Sequence, residues 1–273
     1  MRGSFVLGLV SVIALMVASV TVTAPAQPYV STCLRSSLLA PGCSGRVEFE
    51  PGGAVTPKKL PAHELAPVGL EIHGKIAMEG GGHPVALHEA IIDVAKNVLI
   101  DATGLPACGR QVLKSNGVAA ARRLCGAAIV GGGVAHIGLA SSETTLKAPL
   151  TLFNGGTSSG KTRLFVHGAI GAPNPVPVIS SVKIRRMYSG LHTIWKIPRI
   201  LDGDGSLLDF KLKIERRFVS KGTEHSYLSA KCPNGAFRVN APNALFRNDA
   251  RIPGVDSAMS LKGHFALPCS PIP

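Results

Sequence analysis

The sequence predicts a mostly β fold, an antiparallel β-sandwich or flattened barrel with one short helix, stapled by disulfides. Three observations lead there. Several short runs alternate apolar and polar residues with a period of two. Gly and Pro, 31 and 20 of the 273 residues, punctuate those runs. Six cysteines, an even number, follow an export-type amino terminus. A 45% hydrophobic content supplies a sizeable core and excludes a disordered or collagen-like chain.

The amino terminus comes first. Arg2 precedes an uncharged run over residues 3–27 whose apolar centre covers residues 5–10 and 12–17, a positive n-region followed by an h-region. Ala24-Pro25-Ala26 sets small residues where a signal peptidase reads, so the expected cut falls before Gln27. Residues 1–26 are thus read as a signal peptide, and the chain is expected to be secreted or held in the cell envelope. An uncleaved anchor, or lipidation at Cys33, are the alternatives.

Residues 27–67 contain Pro28, Pro41, Pro51, Pro57, Pro61 and Pro67 with several glycines, and read as a loosely packed Pro/Gly-rich arm. A single β-rich domain is expected over 68–273. Val68, Leu70, Ile72, Ile76 and Met78 alternate with Glu71, His73, Lys75 and Glu79, the pattern of a half-buried strand. Residues 117–126, centred on Ala119-Ala120-Ala121-Arg122-Arg123-Leu124, have the propensity for a two-turn helix ended by Gly126. Residues 146–153, 164–170, 176–184, 192–197 and 259–267 are apolar or alternating runs bounded by turn formers, hence strands. Leu208, Phe210, Leu212 and Ile214 alternate with charged residues, and a turn over 220–223 with Gly222 is expected to fold this strand against residues 227–230.

Cysteines 33, 43, 108, 125, 232 and 269 include no Cys-x-x-Cys pair, so disulfides are expected rather than metal ligation. Fifteen connectivities exist for six cysteines. Nearness in sequence favours Cys33 with Cys43, Cys108 with Cys125, and Cys232 with Cys269.

Five segments, taken in order, resemble a family of exported actinobacterial proteins of unknown function. They are Gly104-Leu105-Pro106-Ala107-Cys108, Cys125-Gly126-Ala127-Ala128-Ile129-Val130-Gly131, Leu152-Phe153-Asn154-Gly155, Ile214-Glu215-Arg216-Arg217-Phe218 and Ser226-Tyr227-Leu228-Ser229-Ala230-Lys231-Cys232-Pro233. The resemblance spans about residues 70–269. It implies a β-rich exported domain and carries over no activity, cofactor or catalytic residue. The chain departs from the family in the arm before residue 67 and in the sequence after Gly155.

Several motifs suggest chemistry. Gly155-Gly156-Thr157-Ser158-Ser159-Gly160-Lys161-Thr162 fits the phosphate-cradling pattern G-x-x-x-x-G-K-[ST]. That mechanism needs a helix starting at Lys161. The residues that follow are β-branched, aromatic and interrupted by Gly168, Gly171 and Pro173. Two strands joined by a flexible polar loop are expected instead, and no nucleotide.

Asp202-Gly203-Asp204-Gly205-Ser206 with Asp209 gathers hard oxygen ligands, making Asp202, Asp204 and Asp209 weak calcium candidates; EF-hand spacing is not met. A plain Asp/Gly turn is the simpler reading. His73, His83, His88 and Glu89 form the densest histidine group, without the H-E-x-x-H spacing of a zinc site. No Gly-x-Ser-x-Gly elbow marks a nucleophile.

Lys and Arg number 29 against 16 Asp and Glu, a formal charge of +13. Lys183 and Arg185 point to one side of their strand, and Lys211 and Lys213 to one side of theirs; if the two strands adjoin, they form a basic face. Such a face suits anionic envelope polymers or lipid head groups. Trp195 is the sole Trp and only three Tyr occur, so an aromatic stacking platform is not expected. The sequence therefore predicts a non-catalytic extracellular or envelope-associated binding module for polyanions, without a cofactor. The alternative is a secreted hydrolase whose catalytic residues are scattered over loops.

Overall fold

The computed structural model describes residues 29–30, 47–78, 81–142, 144–171, 175–251 and 258–272. The predicted signal peptide and the expected Cys33–Cys43 pair lie outside them. In chain order the elements begin with β1 (Tyr29–Val30), β2 (Val47–Thr56), β3 (Lys59–Pro61), β4 (Ala66–Pro67), β5 (Gly69–Met78), β6 (Ala86–Ala95) and β7 (Val98–Ile100). Two short helices, α1 (Arg110–Lys114) and α2 (Val118–Leu124), come next. They precede β8 (Ile129–Leu139), β9 (Thr145–Ser158), β10 (Lys161–Ile170), β11 (Val176–Met187) and β12 (Gly190–Lys196). The last third supplies β13 (Gly205–Ile214), β14 (Arg217–Ser220), β15 (Thr223–Ser226), β16 (Leu228–Ala230), β17 (Ala236–Arg247), β18 (Ala258–Pro268) and β19 (Ser270–Ile272).

Twelve strands form one antiparallel sheet in the order β1-β2-β5-β13-β8-β9-β10-β11-β12-β6-β17-β18. The sheet curls until β18 lies beside β1 and β2, so its two edges meet and it takes the form of a flattened barrel. Inward residues of alternate positions build the main core. Val47, Leu152, Leu164, Leu212, Phe237 and Phe246 are almost wholly excluded from solvent. Aromatic pairs bridge the interior edge to face: Trp195 with Phe210, ring centres 5.2 Å apart, and Phe49 with Phe246 at 6.3 Å. The small sheet β4-β16-β7 covers part of this interior, where Val98, Ile100, Leu228 and Ala230 face the cavity.

Strand β10 shows how the sequence encodes a second layer. Leu164 and Val166 point into the barrel, while Phe165 and His167 point outward yet are buried. The two helices lie over that outer face, where Leu113 and Ala121 pack with Phe153, Phe165 and Ile179. Both faces being covered, the strand reads as a continuous apolar run. Helices of five and seven residues are marginal alone. Here the Cys108–Cys125 disulfide ties their ends together, Cα atoms 5.6 Å apart. The buried Asn154 amide donates to the carbonyls of Leu105 and Pro106, and its own carbonyl accepts from the Cys108 N–H at 2.8 Å. Cys232 and Cys269 form the second disulfide, at the end where β19 runs parallel to β3.

Three expectations are corrected in detail. Residues 47–56 are no arm: β2 pairs with β5 along its whole length, because Val47, Phe49 and Val55 alternate inward and complete the core. The turn over 220–223 closes a local hairpin of β14 and β15 rather than returning β13, both of whose edges are already taken by β5 and β8. The predicted helix is present as α2, and a further helical turn, α1, precedes it.

Candidate functional site

The β9–β10 hairpin places the first two cations. Ser159 and Gly160 both have positive φ, 50° and 69°, the two-residue turn that matches strand twist. The phosphate-loop pattern therefore runs along strand and tight turn, and Lys161 opens a strand instead of a helix. Its side chain is exposed on the outer face, as is that of Arg163 two residues on.

Strand β11 brings up the other pair. Lys161 lies directly across from Arg185, and Arg163 across from Lys183. Adjacent strands sit about 4.8 Å apart and alternate residues about 6.7 Å apart, so four cations occupy a small rectangle. None of the four has an ion-pair partner among the described residues. Farther along the same face the charges are balanced: His192 bonds Asp93 at 2.7 Å and Lys196 approaches Glu89 at 3.6 Å. The helices lying over β10 and β11 add exposed Arg110, Lys114, Arg122 and Arg123.

This arrangement replaces the expected stripe. Lys211 and Lys213 on β13 are separated from β11 by β8, β9 and β10. Each is also occupied, Lys211 with Glu71 at 2.9 Å and Lys213 with Glu215 at 2.6 Å. Lys183 and Arg185 keep their place in the face, and Lys161 and Arg163 supply its other half. A signal for this was present in the chain: residues 102–201 hold twelve of the 29 Lys and Arg but only one acid, Glu143. That block folds into five adjacent strands, β8 to β12, with the helix pair.

The calcium candidates do not converge. Asp204 accepts from the Ser141 N–H and hydroxyl, both at 2.7 Å, and Asp209 is hydrogen-bonded to His136 at 2.7 Å. Asp202 sits at φ 54° in a turn, its carbonyl accepting from Arg199. Among the described residues no three His, Cys, Asp or Glu side chains gather as a metal site. The histidine group is likewise dispersed: His83 is hydrogen-bonded to the Gly138 carbonyl at 2.9 Å, His88 to Asp249 at 2.5 Å, and His73 stands near Glu71.

Four imidazole–carboxylate pairs recur, at His88–Asp249, His136–Asp209, His192–Asp93 and His225–Asp101. Among the described residues none of these rings hydrogen-bonds a Ser or Thr hydroxyl, the third part a nucleophilic triad needs. At Asp101, desolvation by burial raises the carboxyl pKa, but hydrogen bonds from Thr103 and the neighbouring His225 outweigh it and hold the group below the usual range. His167 is lowered as well, by a different cause. Burial under the helices depresses its pKa, opposed only in part by the nearby carbonyls of Leu113 and Asn116, so the ring is neutral at physiological pH.

Comparison with family models, with curated proteins and with solved structures finds no match. The site's chemistry therefore rests on its geometry alone: positive charge at fixed strand positions on the outer wall of the barrel.

Proposed function

We propose that the protein is an exported, non-catalytic binding module that holds linear polyanions of the cell envelope on the outer face of β10 and β11. The observation that carries this reading is the like-charge ladder. Like charges directly opposite across strands destabilise a sheet, and here two such pairs, Lys161–Arg185 and Arg163–Lys183, stand side by side without an acid. A repeating phosphate or carboxylate polymer laid along the strands would relieve both repulsions at once. The export-type amino terminus and the resemblance to an exported actinobacterial family favour the same setting.

Retention on an immobilised polyphosphate matrix tests it. The protein is expected to bind at low salt, with log affinity falling against log salt at a slope of about −3, as for roughly four neutralised charges. Replacing Lys161 and Lys183 by Gln should flatten that slope by about half. Replacing Lys211 and Lys213, already paired with acids, should leave it unchanged. Passage through the column at low salt overturns the proposal.

Anionic lipid head groups are a second reading, favoured by one observation. Met187 ends β11 and the fully exposed Tyr188 opens the β11–β12 turn next to Arg185 and Arg186, an apolar and aromatic tip beside cations. Tyr188→Ser would then weaken sedimentation with vesicles of acidic phospholipid and spare polyphosphate retention.

A further inference from the structure

The barrel is not filled solid. It encloses a cavity of about 160 Å³ walled by apolar side chains of nearly every barrel strand, among them Leu152, Leu164, Ile184, Leu212 and Val239. A smaller cavity of about 50 Å³ adjoins it, and Trp195 and Phe210 line both. Native interiors are close-packed, with few voids larger than a water molecule. A dry apolar cavity of about 150 Å³ is known to admit benzene or xenon.

Among the side chains that line this interior, one buried polar group lacks a partner. The indole N–H of Trp195 is buried with no acceptor, while the residue as a whole is only 6% exposed. Buried donors are nearly always paired. A water molecule is a poor candidate for the partner, because it needs two to four polar neighbours. Among the lining residues of the two cavities only Thr193, Ser180 in the smaller one, and His73 toward the outer wall carry other polar side chains. What the site lacks is a single acceptor on an otherwise apolar body.

We propose that the barrel interior is a binding site for a small apolar molecule, about the size of one six-membered ring, that carries one oxygen acceptor held by the Trp195 indole N–H. The wall is thinnest at one place. Pro51, Gly52, His73 and Phe210 line both the interior cavity and an outer groove between β2, β5 and β13. Gly52 has no side chain there, and the His73 ring lies over it, where a Cβ would collide with that ring. Gly52 and His73 are paired across β2 and β5, so entry here needs these two strands to part locally once the ring turns aside.

The sole Trp makes the site directly observable, since the full chain gives a single indole N–H resonance. Cyclohexanone and toluene serve as probes of similar size with and without a strong acceptor, followed by NMR titration of the full chain. Both are expected to saturate, and only cyclohexanone to move the indole proton downfield. Trp195→Phe should weaken cyclohexanone about three- to tenfold while changing toluene less than about twofold, the signature of one lost hydrogen bond. Ala90→Leu, which fills the cavity at the position paired with Trp195, should abolish both without altering retention on polyphosphate. Absence of saturable binding by either probe in the native protein overturns the proposal. Toluene binding with an indole resonance indifferent to cyclohexanone overturns the acceptor role and with it the assigned ligand class.

Discussion

His167 illustrates how much one side chain can tie to pH. It is fully buried between β10 and the helix pair, edge-on to Phe153 at 6.2 Å, and neither ring nitrogen meets a partner in good hydrogen-bond geometry, although the Leu113 and Asn116 carbonyls lie nearby. Its folded-state pKa is depressed, whereas in the unfolded chain it returns to about 6.5. Below that value the unfolded state binds the extra proton, so stability falls as pH drops through about 6.5 and is intact above it. The residue contributes a slope of at most about 1.4 kcal/mol per pH unit between that point and its own depressed pKa. Between pH 7.5 and pH 5 the denaturation midpoint of wild type should therefore fall further than that of His167→Phe. Asp101 has linkage of the same sign in a more acid window: its contribution is present above the usual carboxylate pKa and fades as pH falls through its lowered folded value.

Sequence alone placed neither effect. His167 sits in an apolar run that any strand could carry, and what buries its outward face is a helix pair some fifty residues earlier in the chain.

Among the elements, the β10–β11 ladder bears the strongest internal tension. Lys183→Glu would convert the Arg163–Lys183 repulsion into an attraction, raising stability by roughly 0.3–1 kcal/mol. Retention on polyphosphate should fall in the same variant, so stability and binding move in opposite directions. A purely structural role for Lys183 would not produce that divergence. Two-state thermal melts alongside salt-gradient elution check it. The helix pair is the other dependent element. Replacing Cys108 and Cys125 by Ser releases a 17-residue closure, expected to cost about 3 kcal/mol in the chain-entropy model. Its loss should expose Phe153 and Phe165 locally before the barrel opens, detectable as amide exchange confined to residues 108–125 and their strand partners.

At the scale of the whole molecule, closure decides stability. The Cys232–Cys269 bridge spans 37 residues and joins the region after β16 to the end of β18, beside the parallel β3–β19 contact that brings the last strand against residues near the first. Its removal by paired Ser substitution should cost about 4 kcal/mol, a large part of the 5–15 kcal/mol typical of a domain. Urea midpoints of the two disulfide variants would rank the barrel staple above the helix staple. The interior is apolar and the outer wall carries Lys161, Arg163, Lys183 and Arg185 at strand positions, the reverse of a barrel that faces lipid with its outside.

Much of this was legible in the chain. Period-two alternation located β5 and β13 because one face of each meets the core and the other meets water. The Ala-rich stretch before Cys125 read correctly as α2 because helix propensity acts within a few residues, and two disulfides followed from proximity. Strand β2 was hidden by Pro51, Gly52 and Gly53, which look like an arm until β5 is there to pair with them. The basic face was half visible: charge separation was written in residues 102–201, but whether two strands adjoin is set by sheet order. Local chemistry, being short-ranged, was determined by sequence alone. Only the tertiary structure decided which cations met, which were neutralised by acids from distant strands, and that the curled sheet left a cavity around Trp195, because each depends on contacts between residues far apart in the chain.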